Sequence, residues 1–242
     1  MTGPGEWAGT PTRRDYDADP DRFRTGSRVT AAYRSPGESL YGRIAGLLRE
    51  LGARRVLDVG CGEGALAAAV GAGGWVVGLD GSATMLAAVP SPVVRADAMA
   101  PPFAEAAFDA VVAVNVYDHL PNPLAAVRAA HRVLRPGGVL VAGTISRHDS
   151  PELAAVWRPT PTPFDTEEAP AIVGTVFADV RVDAWDAPLL TLPDPAAVAD
   201  FLVARFVPAD HAAQLAARVP APMVLTKRGA LVVGRRSSVD QA

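Results

Sequence analysis

Cysteine and lysine are almost missing from this chain: Cys61 and Lys227 are the only ones in 242 residues. A single thiol excludes a disulfide framework and a cysteine-cluster zinc site. Positive charge rests on arginine, a bias that, with the abundant alanine, reads as genome composition and gives no single arginine functional weight. The overall balance is mildly acidic. A net charge of -3 and a pI near 5.8 offer no footprint for DNA, RNA or an anionic membrane. No uninterrupted apolar run is long enough to span a bilayer, and no N-terminal segment resembles a signal peptide. The cytoplasm is therefore the expected compartment. With 49% apolar and 20% charged residues, the composition is that of a globular protein. The length suits one well-buried domain carrying an insertion.

The most informative stretch is Arg55-Val56-Leu57-Asp58-Val59-Gly60-Cys61-Gly62-Glu63-Gly64, followed by Ala65-Leu66-Ala67-Ala68-Ala69-Val70. It reads as a buried strand, a glycine turn and a helix. The glycines let the backbone bend and let a ligand approach closely, over the unpaired N–H groups of the helix start. Gly60-x-Gly62-x-x-Ala65 also satisfies the spacing of a dinucleotide fingerprint, with Asp80 where a ribose-binding acid belongs. Charge separates the two ligands. Asp58 precedes the turn, Glu63 lies in it, and no cationic residue follows until Arg95. A carboxylate about 4 Å from a pyrophosphate oxygen costs roughly 4 kcal/mol at an effective dielectric near 20. The same carboxylate favours an ammonium or sulfonium, so the turn suits a cationic amino-acid nucleoside better than NAD. Cys61 is expected to be a small residue packed beside that ligand, not a nucleophile.

Around this turn the chain alternates. Residues 1–14 read as a mobile tail, and Tyr16 to Ser35 as a short lid helix. Pro36-Gly37-Glu38-Ser39 opens a helix running to about Leu51, with Gly52 as its C-cap. Strands follow at Trp75–Asp80, Val93–Ala96, Phe108–Val114 and Val139–Ile145. Between them lie a helix capped by Ser82 and running past Met85 to Val89, and a helix over Leu124–Leu134. This rhythm means a parallel sheet with right-handed crossovers. Past Ser146 it changes. Asp149-Ser150-Pro151-Glu152 has the spacing to start a helix through Trp157, and Pro159, Pro161 and Pro163 make a stiff connector. A helix from about Thr166 to Phe177 leads to a strand at Val180–Trp185. Residues 194–219 read as two short helices, with Phe206 on the first, and Met223–Val233 as a last strand.

Five segments in this order match a known family: Val56 to Gly64, Gly78-Leu79-Asp80, Ala96-Asp97-Ala98, Phe108-Asp109-Ala110-Val111, and Arg132-Val133-Leu134-Arg135-Pro136-Gly137-Gly138. Over about residues 55–145 the chain resembles the class I S-adenosylmethionine-dependent methyltransferases, in their small-molecule branch. The resemblance implies an α/β, Rossmann-like, mostly parallel seven-stranded sheet with helices on both faces. It frames the chain as a single domain over 15–242: an N-terminal lid and helix at 15–54, a cofactor-binding core at 55–145 and a helical cap at 194–219. The implied cofactor is S-adenosyl-L-methionine. Asp58, Gly60, Cys61 and Gly62 would hold its methionine part, and Asp80, followed by Gly81, the ribose hydroxyls. Met85 would pack on the adenine, Asp97 and the Ala98 amide would read its polar edge, and Asn115 would face the methyl donor. The implied partner is a small-molecule acceptor, with no nucleic acid and no membrane, and with monomer or homodimer left open.

For the transfer itself, His119 and His148 are the candidate catalytic bases, each just past a strand on the ligand side. Asp118 or Asp149 is placed to orient one of them. His131 reads as structural and His211 as a weaker substrate-side candidate. Tyr16, Tyr33, Trp157 and Phe164 are available either as an aromatic wall or as core. No metal is expected, since His119, Asp118 and Asp149 lack ligand spacing. The alternatives are a nucleoside-binding protein of the same fold that transfers no methyl, and an NAD-linked oxidoreductase.

Overall fold

The computed structural model describes residues 17, 20–90 and 92–238, with the backbone alone for Arg22; the expected tail at 1–14 and Tyr16 lie outside the described residues. The chain divides into two compact units. One holds Glu38–Ile145, Thr162–Ala184 and the described residues from Ala230. The other holds the described residues up to Gly37, Ser146–Pro161 and Trp185–Gly229.

The first unit begins with α2 (Leu40–Glu50), after α1 (Pro20–Tyr33) of the other unit. Ser39 caps α2, its side chain accepting from the Gly42 amide, and Gly52 follows the helix end at φ +65°. Then come β1 (Arg55–Val59), α3 (Ala65–Val70), β2 (Trp75–Asp80), α4 (Ala83–Leu86), β3 (Val93–Arg95), β4 (Phe108–Val114), α5 (Pro123–Val133) and β5 (Leu134–Ile145). Later come α6 (Ala169–Gly174), β6 (Asp179–Leu192), α7 (Pro195–Val203), α8 (Ala209–Ala216) and β7 (Met223–Arg235). The seven strands form one sheet in the order β3-β2-β1-β4-β5-β7-β6. From β3 to β5 every pairing is parallel, with Asp58 opposite both Gly78 and Val112. β4 is buried at every position, as a central strand covered on both faces must be. Leu57, Val111, Leu140 and Phe164 are among the buried residues of this unit's core.

The second unit gathers three segments that are far apart in sequence. Val29 of α1, Leu153, Val156 and Trp157 of the middle segment, and Phe201, Leu202 and Leu215 of α7 and α8 form one apolar cluster. Trp157 meets Phe201 edge to face, with ring centroids 6.2 Å apart. The expected lid helix, the segment from Asp149 to Trp157 and the expected cap thus share one apolar cluster.

Several elements differ from their expected form. The helix capped by Ser82 stops at Leu86. The expected helix from Asp149 to Trp157 is only a 3-10 turn at Pro151–Leu153. Ser150, directly before the turn, takes φ +53° and makes no side-chain cap, so the helix has no start. Phe206 lies past the end of α7 at φ +71°. β5 begins at Leu134, so the Arg135-Pro136-Gly137-Gly138 turn is drawn into the strand, with a register break between Phe108 and Ala110 on β4.

Asp109 explains that break. Its buried carboxylate accepts from the Arg54 and Arg55 amides at 2.8 and 2.9 Å and pairs with Arg135 at 3.1 Å, joining β1, β4 and the start of β5. Burial alone would raise its pKa. The two amides, with Arg135 and Arg55, hold it below the ordinary value instead. Its contribution to stability is therefore present above the unfolded pKa, about 3.9, and is lost as pH falls through the lower folded value. Asp109→Ala is predicted to destabilise the chain by about 2–3 kcal/mol at pH 7, a charge-assisted network with half-exposed partners. In urea unfolding, the gap between variant and wild type should narrow below about pH 4.

Candidate functional site

Backbone geometry builds the site first. At the end of β1 the chain bends through Gly60, Gly62 and Gly64, at φ +66°, +52° and +84°. The Gly60 and Cys61 amides both donate to the Leu79 carbonyl, at 2.6 and 3.1 Å, which fastens the bend to β2. A Cβ on Gly60 would run into the Val116 side chain. Gly78 has a related reason: a Cβ there would lie 2.7 Å from the Cys61 sulfur. Cys61 is buried, and burial, then Asp58 and Asp80, push its thiol up to about 12. It is a packing residue, not a thiolate nucleophile.

Acids gather around this bend. Asp58 is 4% exposed, and no group among the described residues donates a hydrogen bond to its carboxyl. Burial, then the neighbouring charge of Asp80, raise its pKa to about 8. Read from the sequence, Asp58 is an anion at neutral pH. In the structure, burial and Asp80 disfavour that charged form, and no cation among the described residues pairs with it. Asp80 is already engaged: one carboxylate oxygen accepts from the Gly62 amide at 3.0 Å and the other from the Ser82 amide at 2.9 Å. Each oxygen keeps a further lone pair for a ligand hydroxyl.

Sequence reading passed over Tyr41. It stands on the α2 face that also carries the buried Ile44, Ala45 and Leu48. Its pKa is pushed up to about 12 by burial, then by Asp58 and Cys61, which places its hydroxyl in the field of the site. The helical spacing from Tyr41 to Ala45 and Leu48 was the available signal.

The remaining expected residues fall around the strand ends. Gly81 is exposed, with open space where a Cβ would stand. Met85 is 1% exposed, inside the core, with its amide capped by Ser82. Exposed Asp97 accepts from the Met99 amide at 2.8 Å, a local turn that sets the half-buried Ala98. Asn115 ends β4, exposed and at φ +54°, held by its amide donating to Gly143 at 2.9 Å. Left-handed backbone at a non-glycine residue is a form of strain that gathers at functional sites. Beyond it, Tyr117–His119 form a 3-10 turn in which His119 Nδ1 lies 3.1 Å from Asp118 Oδ2. That distance allows an ion pair when the imidazole is protonated.

His148 belongs to the other unit. Its side chain is exposed, its amide donates to Ser146 at 2.9 Å, and Asp149 does not orient it. The Asp149 carboxylate is taken by Lys227, Ser150 and the Arg228 amide. His131 stacks edge-on against Phe177 and is structural, and Trp157 and Phe164 are core residues rather than a wall. Among the described residues no cluster of His, Cys, Asp and Glu fits a metal.

A parallel sheet whose β1 runs into a glycine bend, with acids at the ends of β1, β2 and β3, defines a nucleoside-binding Rossmann-like domain. Residues 57–142 match the family described as "Methyltransferase domain", and over that stretch the chain is similar to methyltransferases. It is 34% identical over 118 residues to a ubiquinone biosynthesis O-methyltransferase of Pseudomonas aeruginosa, covering 44% of this chain and 50% of that protein. The chain spans about half the length of the curated relatives it matches. The fold is shared with the cyclase SpnF, with a TM-score of 0.61 at 18% identity over 94% of this chain and 98% of that one. It is shared too with a protein solved in work on thioacetal formation in echinomycin biosynthesis, with a TM-score of 0.58 at 20% identity over 93% and 95%.

The Gly78–Cys61 contact is open to a suppressor test. Gly78→Ala should destabilise the protein by about 1–3 kcal/mol through overpacking. Adding Cys61→Ala, which removes the sulfur, should recover part of that loss in the same urea titration. A Gly78→Ala variant as stable as wild type would contradict the packing described here.

Proposed function

We propose that the chain transfers the methyl group of S-adenosylmethionine to a small-molecule acceptor of natural-product type, in the cytoplasm, where a buried free thiol such as Cys61 stays reduced. The observation that carries this reading is Asp58, a buried acid without a donor, beneath a glycine bend and beside a second acid. Such a site has the chemistry to receive an ammonium or sulfonium, whose charge would favour loss of the Asp58 proton. Asp58 would meet the ligand's cationic end, with Gly60, Cys61 and Gly62 giving close backbone approach. Asp80 would take ribose hydroxyls on its remaining lone pairs, Asp97 and Ala98 would face the base, and Asn115 would border the reacting end. The cofactor supplies a methyl on a sulfonium sulfur, whose departure needs little help. Positioning the acceptor can then account for about 7–11 kcal/mol of the barrier. For a hydroxyl acceptor, His119 Nε2, with Asp118 on the other nitrogen, is the base we favour. His148 is retained as a second candidate. The acceptor's class is supported by the curated relatives, named for ubiquinone biosynthesis, and by the echinomycin-pathway likeness.

A second reading, nucleoside binding without methyl transfer, draws on the shared fold with a cyclase. Incubation with methyl-labelled S-adenosylmethionine and a panel of phenolic and amine acceptors separates them: label in product supports transfer, and binding without label supports the second reading. His119→Ala should lower kcat by about 10²–10⁴-fold with a hydroxyl acceptor, and Asp118→Asn should lower it less. If His119→Ala and His148→Ala both turn over normally, no histidine base is used.

Asp58 gives a further readout. A carboxyl titrating near 8 is mostly protonated at pH 7, so an arriving cation must expel that proton. Calorimetry in two buffers of different ionisation enthalpy should show nearly one proton released per S-adenosylmethionine at pH 7, falling as pH is raised to 9. Asp58→Asn should release none. For stability the sign is opposite to that of Asp109: the Asp58 contribution is full below about pH 3.9 and is lost as pH rises through about 8.

A further inference from the structure

The unit formed by α1, the middle segment and the two C-terminal helices contains a cavity of about 220 Å³, of whose lining the methyl-transfer reading uses His148 alone, and only as its second candidate base. Arg147, Arg158 and Arg228 line it, with His148, Asp149 and Ser150. Of the formal charges in that lining, three are positive and one is negative. The negative one is already committed, since buried Asp149 pairs with Lys227 and accepts from Ser150 at 2.9 Å and from the Arg228 amide at 2.8 Å.

Behind this wall lies a second cation. The Arg205 guanidinium sits 3.4 Å from the centre of the Phe201 ring, and Lys227 Nζ is 5.4 Å from the same centre. Burial and then the Arg205 charge lower the Lys227 pKa to about 8, while Asp149 works in the opposite direction. Two interior cations therefore share one interior acid. Glu152, the other nearby carboxylate, is exposed and accepts from the Thr226 hydroxyl and amide at 2.5 and 3.0 Å.

Two more features mark the cavity as a built site. Among the described residues, Arg228 spends two of its five N–H donors on protein acceptors: Nε on Asp186 at 3.0 Å and one on the His148 carbonyl at 3.3 Å. Ser150, in the cavity wall, is held at φ +53° by its amide to the Thr226 carbonyl and its hydroxyl to Asp149 and Lys227. A strained serine fixed by a buried network is the kind of cost retained where a site needs it.

We propose that this cavity is a recognition site for the anionic head of a small molecule, a carboxylate or a phosphate group, gripped by Arg147, Arg158 and Arg228. Planar guanidinium forks match both anions. The volume is below that of a drug-sized pocket, about 300 Å³ and upward, and suits a head group or a small acid. An anion there offsets the positive charge that Lys227 and Arg205 leave in the interior. The proposal does not depend on methyl transfer, and its test reads anion binding alone.

The full-length protein is titrated calorimetrically with inorganic phosphate, with benzoate, and with benzamide as the neutral match for benzoate. Phosphate or benzoate should bind with a dissociation constant that rises with salt, and benzamide should not bind. Phosphate alone would mark a phosphate ester, and benzoate alone a carboxylic acid. Arg147→Gln and Arg158→Gln should each weaken anion binding at least tenfold while S-adenosylmethionine binds as in wild type. If a variant folds poorly, Arg228→Lys, which keeps the charge and loses the planar fork, supplies the same comparison. Equal anion binding in wild type and variants, benzamide binding as well as benzoate, or no anion binding at millimolar concentration would each overturn the proposal.

Discussion

The structure around the glycine bend depends on one costly placement, a carboxyl at the end of β1 that is 4% exposed and to which no described residue donates a hydrogen bond. Asp58 is buried on a central strand between Gly78 and Val112, and Asp80 raises the energy of its charged form further. A buried acid of this kind is tolerable only while it is protonated or while a cation stands against it. The first state is that of the unliganded chain at neutral pH. The second is what a ligand bearing positive charge would supply. The glycines at 60, 62 and 64 open the backbone above the acid, and Gly78 makes room for Cys61 beneath the bend. Sequence, backbone and electrostatics thus converge on one small volume.

The two units answer to different physics. In the first, the strands from β3 to β5 carry the site at their carboxyl ends, and Asp109 fastens β1, β4 and the start of β5 at the opposite end. Its buried and half-buried aspartates are either without a donor and raised in pKa, as Asp58, or held by backbone amides, as Asp80 and Asp109. The second unit has an apolar core drawn from three distant segments, with a small polar interior where Lys227, Arg205 and Asp149 meet. One acid among two interior cations leaves a surplus of positive charge beside the arginine-lined cavity. The Pseudomonas O-methyltransferase match covers only half of that relative, and the shared methyltransferase domain ends at residue 142. What the second unit recognises must therefore be learned from its own side chains.

Most of the first unit was legible in the sequence because its signals are local. The apolar runs at Val56–Val59 and Phe108–Val114 each sit in one strand, and Ser39, Ser82 and Asn122 cap the helices that follow them. The glycine turn, Asp58 and Asp80 were found for the same reason. What escaped depends on contacts between distant positions. Tyr41 is seen as part of the site only once the fold brings its hydroxyl into the field of Asp58 and Cys61. The proton on Asp58 is a consequence of burial, which sequence spacing does not report. The helix expected from Asp149 failed because Asp149 and Ser150 are engaged by Lys227, 78 and 77 residues away, and Ser150 is turned left-handed. The arginines of the second cavity were set aside as genome bias, and only their convergence with Asp149 and Ser150 gives them meaning.

The account turns on the sign of the charge that the glycine bend accepts. Titration calorimetry of the purified chain with S-adenosylmethionine and with NADH, each alone and then in competition, tests that directly. Saturable heat with the sulfonium nucleoside, none with the dinucleotide, and weakened binding in Asp58→Asn is the predicted result. Tight binding of NADH with no heat from S-adenosylmethionine would contradict it.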